Sequence, residues 1–387
     1  MATENQEDRV ATFVPAEVFP PGQVIREELQ ARGWTQHDLA EVMERPLQVV
    51  NELVLAKKRV TEETAKELEA AFGIDAEFWL KTEALYRLRH GEPAPSSIAR
   101  RAAIRQRVPL RLMTARGWLS MTDNVDELER RVIEYLGVRT LGERPEFARA
   151  AKQTDHERDL TPVQEAWLLR ARRLAEVQLT QAYSAAKLRD TVGQMVPLRR
   201  FPGDVRHVPA LLEAAGVRFL IVERLPGLGI DGVCFWLSAT QPVIAMSLTR
   251  DRIDNFWFVL RHEIEHVLNG DGKAAAIIDN DLDKRQGGTE EERVANEAAA
   301  NFCVPKDEME SFFRRKNPLF TDTNIRQFAQ TIGVHSGLVA GQLRKRLSEG
   351  PLGENAWKLY SSHLVKIRQV IVGTALVDGF GSTLQVG

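Results

Sequence analysis

The chain has 387 residues, enough for two or three domains with ample core, and carries a formal net charge of −2. Acids and bases alternate finely, so no broad basic field marks a nucleic-acid binder, and any DNA contact must come from a local patch. Two cysteines, Cys234 and Cys303, are too few for a disulfide framework and suit a reducing cytoplasm, and no apolar run reaches membrane-span length.

In chain order, residues 1–15 are polar and read as a disordered tail. A series of short helices comes next. Residues 22–32 place Val24, Ile25 and Leu29 on one side and stop at Gly33. Thr35 is a good N-cap for a helix over 36–43, with Asp38 placed for a capping box. A turn at Glu44, Arg45 and Pro46 leads to a helix over 47–56, Thr61 caps a fourth helix, and a fifth begins near Ala76. Short helix, tight turn, short helix is the helix-turn-helix arrangement, whose helix after the turn enters the DNA major groove.

Over residues 16–90 the sequence resembles the HigA-like (XRE-type) antitoxin family. The resemblance rests on Pro21-Gly22, Arg26 to Leu29, Trp34-Thr35-Gln36, Leu39-Ala40, Lys57 to Thr61, Phe72-Gly73 and Glu77 to Leu80. The presumed recognition helix departs from the family's small Ser, Thr and Arg, with Pro46, Leu47, Gln48, Val49, Asn51 and Glu52 instead. Gln48 and Asn51 can each pair with adenine, while Gln36, Lys57, Lys58 and Arg59 can hold phosphates. Glu52 would be repelled by the backbone, so dimerisation or partner docking stands beside DNA binding as a use for this module. A homodimer is expected because paired half-sites need paired modules.

Residues 91–97 form a Pro/Ser-rich hinge, and 91–200 read as that hinge plus a helical spacer packed on the segment beyond residue 200. Within 201–350 the period changes to three β-rich runs, 217–223, 233–237 and 242–246. Gly227, Gly229 and Gly232 match a dinucleotide fingerprint, but a strand comes after them instead of a helix, so no dipole awaits a pyrophosphate. Asp279, Asp281 and Asp283 resemble a calcium loop, but Lys284 stands where the sharp turn needs Gly, leaving an acidic surface loop.

After the strands comes a helix-compatible run, 256–268, containing His-Glu-x-x-His. Positions four apart share a helix face, so His262 and His266 can present two imidazoles to one metal ion. Glu263 lies close enough to act as general base toward a water at that metal. A small sheet before such a helix is the zincin layout, whose edge strand can pair with an extended peptide and lay the scissile bond over the metal. A catalytic zinc takes three protein ligands. The metzincin spacing for a third His falls on Gly272, so the third ligand is an acid on the helix from Thr289 to about Val304. Glu292 leads a small-residue face with Ala295, Asn296 and Ala299; Glu290 and Glu291 are rivals, and Thr289 with Glu292 also makes a capping box. Asn296 is placed to orient a ligand His.

Residues 200–345 resemble the ImmA/IrrE family of zinc metallo-endopeptidases, through Phe256 to His266, Glu292, Ala295-Asn296, Ala299 and Val304-Pro305. Ala298 replaces the family's usual Phe. The resemblance implies His262, His266 and Glu292 as zinc ligands in a gluzincin-like site and Glu263 as catalytic acid/base. Family members are regulators that cut or inactivate a repressor or antitoxin. Farther on, His335 can face the cleft and stabilise a tetrahedral intermediate, or simply cap a helix. Residues 351–387 form an extension with no functional reading.

The expected architecture is mainly α with a small β-sheet: a helix-turn-helix bundle, a helical spacer and a zincin-like α+β peptidase domain. The expected function is a cytoplasmic zinc endopeptidase coupled to a DNA-binding module and acting on a protein substrate. The alternative is a DNA-binding repressor or antitoxin whose peptidase fold senses a metal or partner without cleaving.

Overall fold

The computed structural model describes residues 18–147, 152–153, 160–273, 276–280 and 289–381. The expected tail at 1–15 and the 281–284 part of the acidic loop lie outside the described residues. The chain divides at the hinge into two compact units, one ending at Pro95 and the other beginning at Ser96.

The first unit is built from five helices: α1 (Pro21–Arg32), α2 (Gln36–Val42), α3 (Leu47–Val54), α4 (Glu62–Phe72) and α5 (Ala76–His90). Local sequence sets their ends. Thr35 N–H donates to Asp38 Oδ2 at 2.6 Å and Asp38 N–H to Thr35 Oγ1 at 3.2 Å, closing the capping box that starts α2. Gly33 and Gly73 end α1 and α4 in the left-handed conformation. Ile25, Leu39, Val50, Leu68 and Trp79 are fully buried between the helices, each stabilising the bundle by about 1.5–3 kcal/mol relative to exposure.

The second unit is three-layered. Its sheet runs in the order β1-β5-β3-β4-β2-β6, with β1 (Lys152–Gln153), β2 (Arg218–Val222), β3 (Ile230–Trp236), β4 (Pro242–Met246), β5 (Ile277–Asn280) and β6 (Leu376–Asp378). β2 is parallel to β4 and β6; β3 is antiparallel to β4 and β5. β2, β3 and β4 are buried along their whole length, which explains why they read as continuous apolar runs. Phe219, Ile221, Cys234, Ile244 and Met246 point into one core; Leu220, Val222, Val233, Phe235, Val243 and Ala245 point into another.

That second core is where the segment expected as a helical spacer packs. Helices α6 (Ser96–Arg107), α7 (Leu110–Ala115), α8 (Val125–Leu136) and α9 (Pro162–Val177) supply Ile104, Met113, Val132 and Trp167 to it. Trp167 Nε1 donates to Val222 O at 3.1 Å. These helices are the layer that covers one face of the sheet. The described part of the C-terminal extension, through residue 381, is likewise packed into the fold: β6 extends the sheet, and buried Asp378 accepts from Trp118 Nε1 at 3.2 Å and pairs with buried Arg170.

The opposite face carries α10 (Ala185–Met195), α11 (Val208–Ala214), α12 (Ile253–Asn269), α13 (Glu290–Cys303), α14 (Lys306–Lys316), α15 (Asp322–Thr331), α16 (Ser336–Ser348) and α17 (Arg368–Val372). Apolar Phe256, Trp257, Leu260, Ile264 and Val267 anchor α12 in that core. No helix among the described residues is long and apolar enough to cross a membrane.

Candidate metal centre

Helix α12 carries the His-Glu-x-x-His run on its inner face. His262, Glu263 and His266 are all 0% exposed, although the same helix shows an Arg261–Glu265 pair on another side. Helix α13 crosses close to it because Ala295 and Ala299 are fully buried at the contact. Thr289 caps α13 by accepting from the Glu292 N–H, while the Glu292 carboxylate turns inward and is 3% exposed. The capping and ligand readings of Glu292 are thus compatible, since one uses its backbone and the other its side chain. Glu290 pairs with Arg293, which holds its carboxyl below the usual range, and Glu291 is exposed.

Three donor groups converge. His262 Nε2 and His266 Nε2 lie 3.0 Å apart, Glu292 Oε2 is 3.6 Å from His262 Nε2, and Glu292 Oε1 is 3.7 Å from His266 Nε2. A tetrahedral ion with bonds of about 2.0–2.1 Å sets its ligand atoms roughly 3.3 Å apart. Two imidazoles and one carboxylate at these separations, buried together, fit a zinc ion with one position left for water or substrate.

Two further residues lie at this centre, and neither was read from the sequence as part of it. His266 Nδ1 lies 3.0 Å from Asp271 Oδ2, the contact that orients a metal-binding imidazole and raises its basicity. Asp271 is itself pinned, because its carbonyl accepts from Trp236 Nε1 at 2.7 Å. Asn296, expected in that orienting role, is half-buried and lines a cavity of about 720 Å³ farther along α12 and α13. An acid just past the Gly270 helix stop was the available signal for Asp271.

The other residue is Gly232, on β3. A Cβ there would stand 2.2 Å from Glu263 Oε1 and 2.7 Å from Val259 Cγ1. Glycine at this point lets the strand backbone lie against the carboxylate. Its signal was a glycine inside a strand pattern, which often marks close approach. Gly227 and Gly229 sit in the preceding turn with φ of 80° and 68°, so the three glycines serve a turn and a contact and not a dinucleotide.

His335 sits at the start of α16, where its Nδ1 accepts from the Gly337 N–H at 3.0 Å. Burial, with a smaller contribution from His363, holds its pKa below the ordinary histidine value. The capping reading accounts for its position, and the oxyanion role gains no geometric support.

On the first unit, Gln48, Asn51, Lys57 and Lys58 are exposed on and just after α3, and Gln36 is half-exposed at the start of α2. Gln48 Nε2 donates to Glu52 Oε1 at 3.0 Å, so Glu52 is partly answered within its own helix. Leu47 and Leu55 are also exposed there, at 46% and 51%.

Comparison with known proteins places both units. A helix-turn-helix family matches residues 25–79, and the IrrE N-terminal-like domain matches residues 213–348. Over 79 residues the chain is 35% identical to Virulence-associated protein I of Dichelobacter nodosus, covering 20% of this chain and 73% of that protein. Among solved structures, an addiction module antidote protein of the HigA family from Coxiella burnetii is 23% identical, with 20% of this chain and 99% of that chain covered and a TM-score of 0.18. The chain carries an XRE-type helix-turn-helix domain at its N-terminus and an IrrE N-terminal-like domain in its second unit.

Proposed function

We propose that this protein is a zinc-dependent endopeptidase coupled to a DNA-binding module, a regulator that cleaves a repressor or antitoxin-like protein. The observation that carries the reading is the convergence of buried His262, His266 and Glu292 with Glu263 on the same helix. His262, His266 and Glu292 would hold the metal. When bound, zinc supplies Lewis acidity toward a carbonyl oxygen and eases deprotonation of a water. Glu263 takes a proton from the attacking water and returns it to the leaving amine. Asp271 keeps the His266 Nε2 aimed inward by holding Nδ1. A site built only to sense metal has no use for a general base, so the buried Glu263 beside the ligands favours cleavage over the non-cleaving repressor reading.

The first unit would deliver this activity to DNA or to a DNA-bound protein. Gln48 and Asn51 would read bases, and Gln36, Lys57 and Lys58 would hold phosphates, as a homodimer on paired half-sites in the cytoplasm. Elemental analysis of the full chain and of two variants tests the centre. The wild type should hold about one zinc per chain, Glu292→Gln should lose it, and Glu263→Gln should retain it without cleaving, which makes that variant a substrate trap. A wild type that binds no zinc when offered it would sink the reading.

A further inference from the structure

A β-strand has two edges, and an extended peptide can join a sheet only at an unpaired one. The strand beside the general base is β3, because Gly232 lies against Glu263 Oε1. One edge of β3 pairs with β4 from Gly232 to Trp236. The other edge is taken by the chain itself: Cys234 stands opposite Ile277, Val233 opposite Ile278, Gly232 opposite Asp279 and Ile230 opposite Asn280 in β5. The residue opposite Gly232 therefore sits where a peptide would have to pair to reach Glu263. β1 lies beyond β5, so the outer edge of the sheet is two strand spacings, roughly 9–10 Å, from β3. A substrate added there would be too far away for Glu263.

Burial points the same way independently. His262, Glu263 and His266 are 0% exposed and Glu292 is 3% exposed. A centre that must meet a polypeptide is enclosed.

We propose that β5 is an internal stand-in for the substrate strand: it holds the resting peptidase closed, and a peptide is cleaved only after β5 leaves β3. This rests on the peptidase reading of the metal centre. The physical consequence is selectivity. A free peptide of equal length would make the same backbone hydrogen bonds as β5, but β5 is tethered through a short connection to α12. Such a tether gives an effective concentration on the order of millimolar. Short peptides at lower concentration lose the competition, and a true substrate must bring extra contacts of its own.

The register supplies the test. Ile277→Cys places a thiol directly opposite the buried Cys234, at a cross-strand separation that a disulfide can span. The remaining thiol, Cys303, has its pKa pushed up to about 12 by burial and is a poor competitor. Full-length Ile277→Cys would be loaded with zinc, and binding of a tripeptide hydroxamate measured by calorimetry in the oxidised and reduced forms, with zinc content determined in both. Closure predicts that the disulfide forms, zinc stays near one per chain, and oxidation weakens hydroxamate binding by about 10-fold or more. Ile278→Pro, which removes a backbone donor from β5, should bind more tightly than wild type. Equal binding by the oxidised and reduced zinc-loaded forms, or failure of the disulfide to form in the folded protein, would overturn the closure while leaving the peptidase intact. Absence of zinc from the wild type would instead remove the peptidase reading, and the closure with it.

Discussion

The two units hold their candidate residues in opposite ways. In the first, Gln48, Asn51, Lys57 and Lys58 lie in the open. In the second, His262, Glu263, His266 and Glu292 are enclosed by a sheet and a neighbouring helix. An exposed recognition surface depends on its own side chains and on salt. An enclosed centre depends on everything packed around it, because buried polar groups need fixed partners and interiors do not deform freely.

That contrast can be broken or sharpened by mutation. The largest effect is expected far from the metal. Asp378→Ala breaks the buried pair with Arg170 and removes the acceptor for Trp118 Nε1 and should cost about 3–5 kcal/mol, read by denaturant unfolding; a cost below about 1 kcal/mol would mean the C-terminal strand is not integral to the second unit. Gly232→Ala forces a methyl into the space of Glu263 Oε1 and should cost about 1–3 kcal/mol by overpacking, with zinc content near normal. Asp271→Asn weakens the hold on His266 and should lower zinc affinity about 10–100-fold, measured by competition with a chelating dye.

Smaller effects are expected elsewhere. His335→Ala should cost about 1 kcal/mol through loss of a helix cap. Burial depresses the folded pKa of His335, so its contribution is present above the unfolded histidine pKa, about 6.5, and is lost as pH falls through the lower folded value. His335→Asn keeps a capping oxygen and should flatten that acid-side loss, seen as stability curves that diverge only at low pH. The smallest effect belongs to the exposed unit: Lys57→Ala should reduce the salt slope of DNA retention by about 1 and leave sequence preference unchanged. Absence of DNA retention even at low salt would point to partner docking through Leu47 and Leu55.

Much of the second unit was legible because its signals are local. Four-residue spacing put His262 and His266 on one face, and Glu292 stood at the head of a small-residue face that only a close helix contact requires. Asp271 and Gly232 were missed as parts of the centre for one reason: their roles depend on what faces them across space. Asp271 matters because a helix stop turns the chain back toward His266, and Gly232 because β3 crosses over Glu263.

The sequence by itself determined the helix ends, the capping box at Thr35, the β-rich runs and the metal-binding register, since each derives from periodicity, capping chemistry or spacing within a few residues. Only the tertiary structure decided that helices α6 to α9 cover one face of a sheet, that β6 ties the C-terminal segment to Arg170 and Trp118, and that β5 pairs along the edge of β3. Those are pairings between segments distant along the chain, and sequence patterns of period 2 or 3.6 fix which face of an element is apolar without specifying which partner will cover it.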